Sequence, residues 1–326
     1  MDLTSQVITE PLVNPDKRQK TVTAPHLTVP QTIHFILFEV VPFLGFITAI
    51  VLLWWIPLNW VNLGLFISLW FLTQIGFTVG WHRLFSHNAF KANVVVRVTL
   101  AILGSMAAPG PLLLAVAAHR RHHEYADQPG DPHSPHLFGA GFGGQIKGFW
   151  HAHDGWLATN REHPNTIHYV PDLLRDQALT TVSRYYLLWV TLGLVIPAIV
   201  GGVFTNSWLG AFQGFLWGGL VRMFFVNNLI NGVNSFSHVL GGRSFNTPDH
   251  SRNNLWLALP SLGEGWHNSH HAFPQSAIFG FDWWQIDIGG WVVLLLEKLG
   301  LISDVKIPTA DTIKAKKAFL AARKAT

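Results

Sequence analysis

Cysteine is absent from the 326 residues. That excludes disulfides, thiolate zinc sites, cysteine-ligated iron–sulfur clusters and a cysteine nucleophile. Charge is scarce too. Asp, Glu, Lys and Arg make up 12% of the chain, against about a quarter in an ordinary soluble domain. No basic patch with interleaved aromatics lies outside the histidine clusters, so no nucleic-acid partner is expected. What fills the space is apolar: 49% hydrophobic residues, with 15 Trp and 23 Phe. These figures describe an integral membrane protein.

Residues 1–30 are polar and carry Pro11, Pro15, Pro25 and Pro30, which reads as a flexible N-terminal arm. The apolar run that follows is too long for a secretory signal, and no small-residue cleavage site stands out. Four segments are long enough to cross a hydrocarbon core of about 30 Å. They cover about 34–55, 59–80, 185–204 and 208–230. The gaps at 56–58 and 205–207 are short, so the four helices are expected as two hairpins. Trp54, Trp60, Tyr185 and Trp208 sit where interfacial aromatics belong. Lys17, Arg18 and Lys20 precede the first segment, Arg83 follows the second, Arg184 precedes the third, and Lys314 to Arg323 follow the fourth. The opposite loops hold no Lys or Arg. Both termini and the stretch 81–184 are therefore expected on the cytoplasmic side.

The fold expected is all-α: four transmembrane helices and a helical cytosolic cap made of 81–184 and 231–303. The membrane unit spans 31–303, and a basic C-terminal tail covers 304–326. Residues 94–118 are apolar enough to span, but "AAPGP" (107–111) splits them into halves too short to cross. A crossing would also put His82 and His119 on opposite faces. A helix lying at, or dipping into, the cytoplasmic interface is expected instead.

Histidine is unusually frequent: 18 copies, as many as Asp and Glu together. "HRRHH" places His119, His122 and His123 at i, i+3, i+4 on one helical face. "HNSHH" repeats the spacing with His267, His270 and His271. "HRLFSH" separates His82 from His87 by five, off one α-helical face, so that pair is expected at a helix end. "NSFSH" adds Asn234 and His238 at i, i+4. Neutral imidazole is a common transition-metal ligand, and nine exceed the coordination number of one ion. Two metals are implied. His26, His34, His133, His136, His151, His153, His163, His168 and His250 lack the repeated spacing and are expected to be structural. A metal transporter would need several ionisable residues in mid-span. The four segments offer Glu39 and Arg222, and an Arg repels a cation.

"GWHRLFSHNAF", "HRRHH" followed by "GDPHSP", "GFWHAHDGWL", "NSFSH" and "GEGWHNSHHAFP" together resemble the membrane-bound fatty acid desaturases, in particular the Δ9, stearoyl-type group. The resemblance runs from about 34 to 300. It implies a di-iron centre ligated by His82, His87, His119, His122, His123, His238, His267, His270 and His271, with Asn234 acting on one iron through a water. It implies a narrow kinked tunnel for a saturated acyl chain such as stearoyl. It also implies O₂-dependent insertion of a cis double bond with two electrons from an external donor. No haem motif is found, the "HPN" at 163–165 lying inside the core, so that donor is expected to be a separate ferredoxin- or cytochrome b5-like protein. Acyl-CoA members often carry an Arg-Asp pair just before the second box. Here Ala117 and Ala118 stand there, which favours an acyl-lipid substrate over acyl-CoA, although Arg120, Arg121 and Arg184 offer alternative charges. A related hydroxylase or ketolase on the same centre is the alternative chemistry.

Overall fold

The computed structural model describes residues 19–325, and they are mostly helical. The part of the N-terminal arm before residue 19 lies outside the described residues. Four helices are long and apolar enough to cross a membrane: Pro25–Leu52, Trp60–Ser86, Tyr186–Thr205 and Trp208–Phe236. The first begins well before the sequence suggested, because Pro25 and Pro30 sit in its opening turns, where a missing N–H costs nothing. Ahead of it, Thr21–Thr23 pairs antiparallel with Glu162–Pro164, so residues placed in the arm by composition hold a strand. The second span starts where Asn59 accepts from the Asn62 N–H. Asn206 ends the third span in the left-handed region at φ 47°, and Ser207 caps the fourth by accepting from Leu209 and Gly210 N–H.

The fourth span is the centre of the bundle. The first, second and third all pack against its Gly214–Val221 stretch. The first two spans, expected as a hairpin, make their main contacts with the fourth and not with each other. Small residues allow the close approach. A Cβ on Gly214 would lie 2.1 Å from the Pro197 carbonyl oxygen, so only glycine fits that crossing. Trp54, Trp60 and Trp208, at the end far from the histidines, are 87%, 86% and 92% exposed. That suits an aromatic belt facing lipid headgroups.

Residues 94–118 enter the bundle and return. Val94–Ser105 runs in, Met106–Pro111 turns, and Leu112–Tyr125 runs back, ending in the HRRHH box. The turn is closed by buried polar contacts. Arg222, fully buried, donates to the carbonyls of Gly218 (3.2 Å), Met106 (2.6 Å) and Gly193 (2.9 Å). Tyr186 Oη accepts from Gly110 N–H at 3.1 Å. A backbone that stops being helical inside an apolar layer needs such partners. Arg222 supplies one to Met106 O and ties it to carbonyls of the third and fourth spans, which accounts for a cation in a span. Arg83, one of the basic residues behind the expected orientation, is also fully buried. It pairs with Asp287 at 2.7 Å and donates to Ala277 O. It clamps the first histidine box to the 277–287 segment.

Beyond the spans, short helices form a layer over one end of the bundle. His267–Ala272 carries the last histidine box, and the basic tail helix Ala310–Ala325 packs back on the same layer. There Lys316 donates to Ala272 O and Lys317 pairs with Asp282.

Candidate metal centre

The three boxes use three local geometries. The five-residue spacing of His82 and His87 is served by a π-wound stretch, Gly76–Ser86, in which hydrogen bonds run i→i+5. His87 N–H closes that turn on His82 O at 3.2 Å, and the two rings stand 5.0 Å apart. An α-helix would have turned them away from each other. His119, His122 and His123 lie on the returning helix Leu112–Tyr125. His238 follows the end of the fourth span, Phe236, by two residues.

The structure sorts the nine histidines into two groups. His82, His87, His119, His123 and His270 form one, and His122, His238, His267 and His271 the other. Within each group the ligand atoms lie within 4.8 Å of one another. Both HxxHH boxes are therefore split between the groups: His119 and His123 face one way and His122 the other, while His270 opposes His267 and His271. Neighbouring Nε2 atoms are 3.0 Å apart for His82–His270, 2.8 Å for His87–His119 and 2.8 Å for His123–His270. In the second group, His267 Nε2 is 3.0 Å from both His238 and His271 Nε2. Imidazole binds a transition metal at about 2.1 Å, and two such bonds at a right angle set their nitrogens about 3.0 Å apart. The spacing is that of lone pairs converging on a cation. The nitrogen-only donor set suits a transition metal and not calcium or magnesium.

Behind the imidazoles stand carboxylates. His122 Nδ1 donates to Asp131 (3.0 Å), His238 Nδ1 to Asp127 (2.8 Å) and His271 Nδ1 to Asp249 (3.0 Å). His82 Nδ1 lies 2.5 Å from Glu264. The bonds to His122, His238 and His271 fix the tautomer that leaves Nε2 free for a metal. The acids are themselves held: Asp127 accepts from Ser134 Oγ and His250 N–H, Asp249 from Thr247 Oγ1 and Ser251 N–H. Burial pushes these carboxyls up, but hydrogen bonds and the histidine charges outweigh it and hold Asp127, Asp131 and Asp249 well below the usual carboxylate range. Burial, and then the neighbouring histidines, push His87, His119, His123, His267 and His270 well below ordinary imidazole. Burial lowers His271 to about 4 against the opposing pull of Asp249. His122 moves up, because Asp131 overrides its burial. At the six lowered positions the ring favours its neutral form, the form a metal needs.

These acids were missed by the spacing argument. Their signal was present, since Asp127 and Asp131 follow the second box within "DQPGDPH" and Asp249 lies in "PDHS". Of the two acids nearest the boxes in sequence, Glu264 backs His82, whereas Glu124 turns outward to Lys20 and Tyr169. His133, expected to be structural, joins His122 and Asp131 in a third close group and lines the adjoining pocket. His136 and His151 hydrogen-bond backbone carbonyls, and His153 meets Ser235 and Asn228.

That pocket opens against the histidines. His82, His119 and His267 reach into it, with Asn234 beside them, and Phe77, Val116 and Ile230 form apolar walls. Arg120 is not free to grip a headgroup. Its guanidinium is held by Asp172 at 2.7 and 2.8 Å and by the carbonyls of Phe85, Ser86 and Tyr169. Arg121 is buried near Glu162.

Among the described residues, four membrane-length helices thus carry a two-group histidine site able to hold metal beside a pocket with apolar walls. The sequence profile of the family described as "Fatty acid desaturase" matches residues 58–289. The chain is 52% identical over 303 residues to a hex-5-enoyl-[acyl-carrier protein] acetylenase of Moorena producens, covering 92% of this chain and 94% of that one. It is 30% identical over 290 residues to an sn-1 stearoyl-lipid 9-desaturase of Anabaena variabilis, covering 88% and 97%. It is 34% identical over 267 residues to an icosanoyl-CoA 5-desaturase of Limnanthes douglasii, covering 79% and 69%. The chain belongs to the fatty acid desaturase family and is a membrane oxidoreductase of that family.

Proposed function

We propose that this chain uses two histidine-held irons to introduce a cis double bond into a fatty acyl chain. The observation that carries the reading is the partition of nine histidines into two converging sets against a pocket with apolar walls. His82, His87, His119, His123 and His270 would hold one iron and His122, His238, His267 and His271 the other, and the pair would activate O₂, the oxidant. Two hydrogens leave adjacent methylenes, O₂ takes them with two protons and two electrons from an external ferredoxin- or cytochrome b5-like donor, and two waters form. The protein's own part is positional. Phe77, Val116 and Ile230 hold the chain and exclude water, because methylenes are chemically alike and placement alone selects one pair. Asn234 lies at the pocket edge, where its amide can orient a water toward one iron. Asp127, Asp131 and Asp249 keep the tautomers of His238, His122 and His271 fixed, and Glu264 stands against His82.

Bond position and acyl carrier have two readings. Desaturation at Δ9 of a stearoyl-type acyl-lipid is supported by the 30% identical relative that matches nearly end to end. Oxidation of a short acyl group on a carrier protein, up to a triple bond, is supported by the 52% identical relative. The second has the stronger support, since identity over comparable coverage is far higher. The absence of a free arginine before the second box, and the engagement of Arg120, speak against a CoA clamp in either case. The catalytic layer and both termini face the cytoplasm in this reading. To test it, the purified chain receives O₂, a reduced ferredoxin system, and separately stearoyl-glycerolipid, stearoyl-CoA and hexenoyl-carrier protein. Mass spectrometry should find loss of two hydrogens from at least one, abolished in His270→Ala. A hydroxylated or ketonic product in place of the alkene or alkyne would move the chain to the alternative chemistry.

A further inference from the structure

The pocket does not stay apolar along its length. Its inner end is lined by Gln74 of the second span, Asn227 of the fourth and Glu39 of the first. Gln74 precedes His82 by eight residues and Asn227 precedes Asn234 by seven, so this end lies roughly 10 Å from the histidines. Gln74 and Asn227 are 0% and 2% exposed. Each amide is oriented by its own donor bond: Asn227 Nδ2 to Phe38 O at 3.2 Å, Gln74 Nε2 to Ser261 O at 3.4 Å. That leaves Asn227 Oδ1 and Gln74 Oε1 without a hydrogen-bond partner.

We propose that this polar floor sets the length limit of the acyl chain, stopping any tail that extends more than about 10 Å beyond the attacked bond. The proposal rests on the desaturase reading of the site. Two buried carbonyl oxygens cannot satisfy one another, and an alkyl tail carries no donor. Water does, and a site with several acceptors and room is where buried water is kept. A longer tail must displace that water and leave both acceptors dry. The penalty exceeds what one or two added methylenes contribute. Tails that end above the floor avoid it.

The test is a binding series on the full chain in lipid nanodiscs. Saturated acyl-pantetheine thioesters from six to twenty-four carbons are titrated calorimetrically. Wild type should gain roughly three- to fourfold in affinity per methylene up to a break, then gain nothing or lose. Gln74→Met, which removes the acceptor at similar volume, should shift the break to longer chains, and Asn227→Leu should shift it independently. An unbroken climb to twenty-four carbons in wild type would overturn the proposal. So would one common break in wild type and in correctly folded Gln74→Met. Product analysis on the same samples separates the two claims: a break that moves with the floor but without any dehydrogenated product keeps the length limit and removes the desaturase reading.

Discussion

At the scale of single residues, four of the nine imidazoles, His82, His122, His238 and His271, have a carboxylate behind them. The pattern assigns work to acids that no box contains. Asp249 holds His271 Nδ1 and is itself fixed by Ser251 and Thr247, so its loss frees the ring to rotate and to take the wrong tautomer. Asp249→Asn keeps the size and removes the charge. It is expected to weaken metal retention in the His122–His238–His267–His271 group about 10- to 100-fold, read by chelator competition. Retention equal to wild type would show that the carboxylate does not orient the ring. Glu124 is the control. It sits next to His123 in sequence but pairs with Lys20 and Tyr169, so Glu124→Gln should leave metal content unchanged.

At the scale of elements, the spans were legible because an unbroken apolar run of about twenty residues matches the thickness of a hydrocarbon core. Both α-helical boxes were legible because i, i+3, i+4 is a helical face. The pairing of His82 with His87 was not, since a spacing of five makes one face only in a π-wound stretch, and periodicity at 3.6 hides that. The split of each HxxHH box between two histidine groups was hidden as well, because it depends on which neighbouring helix each ring meets. The break at 107–111 could be read from its prolines, but the residue that pins it could not. Arg222 reads in sequence as a misplaced charge, whereas in the fold its guanidinium holds the carbonyls of Met106, Gly193 and Gly218. Arg222→Met strands the buried Met106 carbonyl at about 1–3 kcal/mol. The variant should unfold at clearly lower denaturant than wild type and lose metal through displacement of the helix bearing His119; unchanged stability would remove Arg222 as the pin. Gly214→Ala brings a methyl against the Pro197 carbonyl and should cost about 1–3 kcal/mol by overpacking, read as a lowered unfolding midpoint in detergent.

At the scale of the whole molecule, one end of the bundle is plain and aromatic and the other carries all the chemistry. With Arg83 buried, the charge asymmetry rests on fewer residues than the sequence suggested: Lys17, Arg18, Lys20, Arg184 and the basic tail. It still points one way. Reporters fused after Lys20, Gln145 and Lys316 should all read cytoplasmic, and a far-side signal from any of them would break the proposed orientation. The proposed chemistry stands on two irons sharing nine histidines. The most direct measurement is metal stoichiometry on the purified full chain, iron per polypeptide by plasma mass spectrometry, for wild type, His271→Ala and His87→Ala. Two irons per wild-type chain are predicted, with a clear loss in each variant because each removes a ligand from a different group. A wild-type chain that carries a single iron at full activity, or variants that retain both, would contradict it.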